Sequence, residues 1–427
     1  MINEKIIVQM KSLFQRFWWL GLVVLILIIV VVLLISQGNK KVGPSQKSSI
    51  PKASSQSANN KSGSKLPACG SKMVFFTTLP VKSEDYGSLI PLGNLNPTGH
   101  VFPTDHIYLF SKNTPDNGQA SEALSKPLYS PGDMWIMDVS TSEDLGSGIT
   151  DYSIGYQPCE EFRGKFGHVG RLSAKLTAQL EKIANKKCDE YSTGGSKYRA
   201  CRYDQLKIVV KAGEELGTVF NGRSAALDIW ATDYRIKKLE FAKPSRWRED
   251  LFYNACPANY FVSSIKNEML GRFSDYDGNK RTIEPVCGTI EVDIKGTAKG
   301  YWFTLDHTPN SMEDKNMALA NDNKNPLKQA FSMGNSGEAK GFKSGVYFFT
   351  PTESGNVNRD FATVKPDSSV YCYETTDSPS GATHGVGQVS VLYLSLINGE
   401  TIRVEKVNKT TCGSGPWTLA NYVEFVR

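Results

Sequence analysis

Val389-Ser390-Val391-Leu392-Tyr393-Leu394-Ser395-Leu396 is followed by Asn398-Gly399 and then by a second β-rich run, 401–407. The first run partly alternates small or polar residues with large apolar ones. Side chains on a strand point to opposite faces in turn, so this pattern predicts a half-buried strand. Asn-Gly between two such runs is a tight-turn signal. Similar runs stand at 289–294, 301–305, 345–349 and 369–373. Six or more strands in the stretch 246–427 predict a β-sandwich or β-barrel domain.

Moving towards the N-terminus, composition shifts near Lys243-Pro244-Ser245, which is the expected boundary with a second folded domain, 68–245. Short apolar runs at 73–78, 106–110, 134–139 and 207–210 alternate with glycine and proline turns, again an all-β signal. One helix is expected to interrupt them. Leu172, Leu176, Leu180 and Ile183 recur at i, i+4, i+8 and i+11, which places them on one helical face. The fold class expected for the whole chain is therefore mainly β.

The order of motifs in 97–235 resembles the lysostaphin-type zinc metallopeptidases, which cut peptide cross-links in bacterial cell walls. Leu128-Tyr129-Ser130-Pro131-Gly132-Asp133 resembles a turn entering a strand in that family. Phe166-Gly167-His168-Val169 resembles its Y-x-H-L segment. Val210-Lys211-Ala212-Gly213-Glu214-Glu215-Leu216-Gly217 resembles its VKAGQ-x-IG hairpin, and Ala226-Leu227-Asp228-Ile229 falls where the family has H-x-H-F. The resemblance implies a lysostaphin-like β domain with one inserted helix. It also implies one zinc, held in the family by a His, an Asp four residues later and the second His of H-x-H. Such a metal acidifies bound water and polarises the scissile carbonyl.

This sequence departs from that ligand set. His168 matches a catalytic histidine. Ala226 and Asp228 replace the H-x-H histidines, and Phe110 stands four residues after His106 where an Asp is expected. His106, Asp228 and His100, with Asp105 nearby, remain as candidate metal ligands. A two-His, one-carboxylate set suits zinc chemically, but it is not the family's set.

Three smaller signals lie in 246–427. Gly300-Tyr301-Trp302 resembles the G-x-W of lipocalin-like barrels, in which a C-terminal Arg packs over the Trp; Arg427 is the last residue here. Asn321, Asn323 and Asn325 stand at alternate positions, as at the start of a calcium loop. Pro326 and Ser332 occupy the places of its glycine and distal glutamate, so turn chemistry is the expected reading. His307 and His384 are lone histidines expected in solvated loops.

The N-terminal part sets the compartment. Residues 1–16 form a short segment, expected to be cytoplasmic. Residues 17–35 carry no charge and no proline. As a helix they span about 28 Å, the hydrocarbon thickness of a bilayer. A single membrane anchor is expected there. Residues 36–67 hold nine Ser and six Lys with no acid and no aromatic, which reads as a flexible linker.

The net charge of +6 belongs to this tail. Residues 1–67 carry nine Lys/Arg and one acid; 68–427 carry 40 basic and 42 acidic residues and sum to −2. Bulk charge therefore gives no case for nucleic acid as a partner. All eight cysteines follow the anchor. An even number on one side, with no CxxC pair, predicts disulfides in an oxidising space. Cys188 with Cys201 is the expected pair, closing a loop that contains Gly194-Gly195.

The combined expectation is a single-pass cell-membrane protein with extracytoplasmic domains. Its peptidase-like domain is expected to lack the standard zinc site and to bind peptidoglycan or a surface protein. One alternative is an active zinc metallopeptidase with an altered site. Another is a structural subunit of a surface assembly.

Overall fold

Strand formation at 389–407 follows the pattern read from the sequence. Val389–Asn398 pairs antiparallel with Thr401–Val407, Leu396 standing opposite Ile402 and Asn398 opposite Thr401. Its burial differs from the half-buried expectation, because both faces are covered. Leu392, Leu394 and Leu396 enter one core. Val391 and Tyr393 pack outside it with the Cys372–Cys412 disulfide, beneath Trp417 and Leu419. The computed structural model describes residues 65–427 apart from 115–118, 184–185, 194–195, 276–277 and 379–387. The expected anchor 17–35, most of the linker, and His384 lie outside the described residues. Among those described, no helix is long and apolar enough to cross a membrane.

The chain is mainly β and builds two antiparallel sheets. The first contains β1 (Tyr86–Ile90), β2 (Ile107–Ser111), β3 (Lys126–Tyr129), β4 (Met134–Asp144), β5 (Thr150–Cys159), β6 (Phe162–Leu172), β7 (Lys187–Thr193), β8 (Ser196–Tyr203), β9 (Ile208–Val210), β10 (Glu215–Val219) and β11 (Ala226–Asp233). Its main order is β1-β2-β11-β6-β5-β4-β8-β7; β10 joins β3 to β6, and β9 pairs with β4. Cys188 and Cys201 face each other across β7 and β8 and are bonded. Helix α1 (Ala174–Leu180) is shorter than the leucine spacing predicts. Leu172 ends β6 instead, and Ser173 caps the helix by accepting the Leu176 N–H. A serine cap fixes the helix start more strongly than an apolar residue two places earlier.

The expected boundary at 243–245 does not separate the two cores. Cys256, Ala258, Tyr260, Phe261, Met269, Phe273 and Cys287 all pack into the core of the first sheet. Helix α2 (Ser263–Leu270) and the Cys256–Cys287 disulfide belong to that core too. Residues 65–427 form one compact unit. Residues 73–78 are not a strand: Phe75 and Phe76 donate N–H groups to Tyr260 O and make a single bridge at Phe76–Phe261. Residues 289–294 are likewise outside any strand.

The second sheet is a meander of eight consecutive strands: β12 (Gly300–Trp302), β13 (Met317–Asn321), β14 (Gln329–Met333), β15 (Gly345–Phe349), β16 (Tyr371–Ser378), β17 (Val389–Asn398), β18 (Thr401–Val407) and β19 (Val423–Val426). Its edges meet. Phe303, just after β12, exchanges two backbone hydrogen bonds with Val426 on β19, 2.7 and 2.9 Å. The sheet is thus a nearly closed barrel, which removes most of its exposed edge. Its interior is filled by rings: Phe331, Phe349, Phe361 and Tyr373 pack with centroids 4.9–5.4 Å apart where they touch, apart from the wider Phe331–Phe349 pair at 6.1 Å.

Gly300-Tyr301-Trp302 occupies β12, with the Arg427 guanidinium 4.2 Å from the centre of the Trp302 ring. Gly300 has φ 130°, and a Cβ there would strike the Asp293 carboxylate. The 321–328 segment is a hairpin turn in which Asn321 Nδ2 donates to Pro326 O and Asp322 accepts the Lys324 N–H. His307 is buried rather than solvated. Its ring packs on Phe303, centroids 4.8 Å apart, and takes a hydrogen bond from the Asn316 amide.

The outer face of the barrel seats the loop that carries the candidate site. Phe102 packs on Trp247, Tyr301 and Phe303 with centroids 5.1–5.4 Å apart. The loop is also held to itself, since Asn96 and His100 exchange backbone bonds of 2.8 Å.

Candidate functional site

Three neighbouring strands bring the sequence candidates together. β11 lies between β2 and β6, with Asp228 opposite Tyr108 on one side and Gly167 on the other. His106 immediately precedes β2, and His168 follows Gly167 on β6. The β5–β6 ladder shifts register between Tyr152 and Ile154, and His168 has φ 59°. A bulge with a positive-φ residue other than glycine re-aims a side chain at the cost of local strain. Here it turns His168 towards Asp228. Gly167 is required by the same packing, because a Cβ would stand 2.8 Å from the Trp230 ring.

Asp228 is the centre of the group. Its Oδ2 is 3.5 Å from His106 Nε2 and 3.3 Å from His168 Nε2. Each imidazole is fixed from behind by its own carboxylate. His106 Nδ1 donates to Asp105 Oδ1 (2.9 Å), and His168 Nδ1 donates to Asp151 Oδ2 (2.6 Å). Trp230 Nε1 also donates to Asp105 Oδ1 (2.7 Å) and lays its ring 4.0 Å from that of His106. Lys165 Nζ stands 3.5 Å from the centre of the Trp230 ring. His106 and Asp228 are almost fully buried, whereas about a third of the His168 side chain is open to solvent.

Electrostatics divides these groups. Burial opposes charge on His168, but Asp228 and then Asp151 outweigh it and hold its pKa up at about 9. Burial also works against ionisation of Asp105, yet the His106 hydrogen bond, the charges of His106 and Lys165 and the Trp230 N–H hold it well below the usual carboxylate range. Burial pulls the Lys165 amine down against the pull of Asp105 and Asp228.

His100 sits beside the group, its ring 5.2 Å from that of His106. Its Nδ1 is turned to Glu313 Oε1 (3.2 Å), and Glu313 Oε2 accepts the Phe102 N–H (2.7 Å). Burial lowers the His100 pKa, but the Glu313 bond and charge bring it above its ordinary value. One carboxylate from the β12–β13 connection thus fastens the loop that carries His100 and His106. Glu313→Gln is expected to return the His100 pKa towards its ordinary value and to cost about 1–3 kcal/mol, the range for weakening a hydrogen-bonded charge of this kind. Histidine NMR titration and denaturant unfolding read the two effects.

Of the predicted residues, His106, His168 and Asp228 converge and His100 lies alongside. Asp151, Glu313, Lys165 and Trp230 belong to the site without any sequence signal. Glu313 is 213 residues from His100, and nothing in its neighbourhood marks it.

The donor set has the chemistry of a zinc site, with a carboxylate behind each histidine. Asp228 Oδ2 is near enough to each histidine to share an ion with it, but the three groups are not all within 4.8 Å of one another. Among the described residues, the only three His, Cys, Asp or Glu side chains with ligand atoms all within 4.8 Å of one another are Cys69, Cys159 and Glu161. Those two sulfurs are joined in a disulfide, and Glu161 accepts the Cys69 N–H. His106, His168 and Asp228 as placed are not a closed three-ligand set. No family model, no curated protein and no solved structure matches the chain.

Proposed function

We propose that this protein is a membrane-anchored extracytoplasmic binding protein whose polar site at His106, Asp228 and His168 takes cell-wall peptide or glycan and does not cut it. The observation that carries the reading is the placement of Asp228. One of its oxygens lies between two imidazole nitrogens, and the positive charge facing it is supplied by His168, whose raised pKa keeps it protonated at neutral pH. A site that supplies its own cation has less need of a metal to balance the carboxylate. The His168 side chain, about a third open to solvent, gives a ligand access to this polar group, which is suited to holding amides or hydroxyls. Four disulfides, with no free cysteine among the described residues, fit an oxidising compartment.

A second reading is an active zinc site. His106 Nε2 and Asp228 Oδ1 are buried with no hydrogen-bond partner, and a cation between them would satisfy both. Zinc there would polarise a carbonyl and acidify a water. Co-sedimentation of the full-length protein with purified peptidoglycan, with and without Asp228→Asn, tests the binding reading. Retention that disappears in the variant is expected. Equal retention of both proteins, or none of either, would refute it.

A further inference from the structure

A second polar site adjoins the first. A cavity of about 460 Å³ opens over β5, β4, β8 and β7 and includes Asp151, the residue that holds His168. This volume lies within the range of small-ligand pockets, about 300–1,000 Å³. Its walls are polar, and register sorts them into rows. Residues directly opposite across antiparallel strands share a face. Ser153 faces Ser140, Ser140 faces Arg202, and Arg202 faces Lys187. In the next row Asp151 faces Ser142, Ser142 faces Ala200, and Ala200 faces Asp189. One row therefore ends in two cations. The other is flanked by two carboxylates.

The charges are available. Among the described residues, Lys187, Asp189 and Arg202 have no ion-pair partner within 4 Å; the nearby pairs are made by other residues, such as Glu190 with Lys197 and Arg199. Asp151 is more than nine-tenths buried, and its Oδ1 has no hydrogen-bond partner while Oδ2 is taken by His168. Tyr191 reaches back to Ser142, hydroxyl to hydroxyl at 3.1 Å, and closes the acidic end. Arg223 reaches Ser142 Oγ from outside the cavity (3.3 Å), and Asp204 borders the basic row on its other side. The Cys188–Cys201 bond pins the hairpin that supplies Lys187 and Asp189.

We infer that this trough is a subsite for a dipolar peptide segment, with a free ammonium over Asp189 at the β7 end of one row and a carboxylate over the Arg202–Lys187 pair of the other. The rows are two residues apart along each strand, about 6.5–7 Å. Two extended residues of a ligand span a similar length, about 6.6–7.2 Å. An unblocked dipeptide is therefore the smallest ligand that reaches both rows, and the small Ser and Ala side chains between them leave room for its backbone. The inference deepens the binding reading of the neighbouring site by naming the chemical class of what lies next to it.

The test uses full-length protein with its disulfides intact and three probes: L-alanyl-L-alanine, its N-acetyl form and its C-terminal amide. Calorimetry or ligand-observed NMR reads affinity. The unblocked dipeptide is expected to bind about tenfold more tightly than either blocked form, the loss of one charge-assisted contact. Arg202→Gln is expected to abolish the preference over the amide alone, and Asp189→Asn the preference over the acetyl form alone. Both side chains are exposed, so such replacements leave the core untouched. Equal affinity for the three probes, no binding of the unblocked dipeptide, or loss of both preferences in either variant would overturn the inference. Failure of the wall-binding reading is seen separately, in the retention of peptidoglycan by the Asp228→Asn protein.

Discussion

Asp228→Asn is expected to lower the His168 pKa by about 1–3 units, the effect of removing an opposite charge at this range. Burial already disfavours the imidazolium, and Asp228 is the larger of the two charges that oppose it. With Asn in place, Asp151 acts alone against that burial. The change has a sign in stability. The folded pKa of about 9 stands above the ordinary 6.5. The stabilisation from this group is therefore complete below about pH 6.5 and is lost as pH rises through 9. The native protein should lose stability across that window, and Asp228→Asn should flatten the loss. His168 NMR titration and unfolding midpoints at pH 6 and pH 9 check both. An unchanged pKa in the variant would mean that Asp228 does not govern the site.

Trp302→Ala should be the most damaging single change in the barrel, at about 3–5 kcal/mol. Trp302 is fully buried, and its Nε1 donates to Ala298 O at 2.7 Å. Its ring is also the surface on which Arg427 rests. Arg427 is itself buried. Its Nη2 donates to Lys299 O (2.5 Å) and lies 3.7 Å from Asp293, while Nε and Nη1 have no hydrogen-bond partner. The aromatic face is thus a main compensation for a desolvated cation, in an interaction worth about 2 kcal/mol when water is excluded. Removing the ring leaves a cavity and strands that charge. Arg427→Met, which removes the charge and keeps apolar volume, should cost less. Non-reducing guanidinium unfolding gives both values; a loss below about 1 kcal/mol for Trp302→Ala would contradict the packing described.

These two residues also show what a sequence can and cannot convey. The hairpin at 389–407 was legible because Asn398-Gly399 and the alternation beside it are local signals. The Gly300-Tyr301-Trp302 pattern pointed to a ring covered by Arg427, and the two residues do meet. Helix α1 was misplaced because leucine spacing does not distinguish the end of a strand from the first turn of a helix, whereas Ser173 does. The boundary at 243–245 failed for a different reason. Residues 254–287 hold one short α-helix and no strand of either sheet, yet they bury Tyr260, Met269 and Phe273 in the first core. In the site, His106, His168 and Asp228 were found through motif order. Glu313 and Asp151 act through long-range pairing, and Lys165 and Trp230 through a cross-strand contact. None of those is encoded in local spacing.

The most direct test of binding without hydrolysis is mass spectrometry of peptidoglycan fragments after incubation with full-length protein and stoichiometric zinc. Binding alone predicts that the fragments remain bound to the protein and keep their masses. New cleavage products that vanish with His168→Ala would contradict it and establish a working metal site at His106, Asp228 and His168.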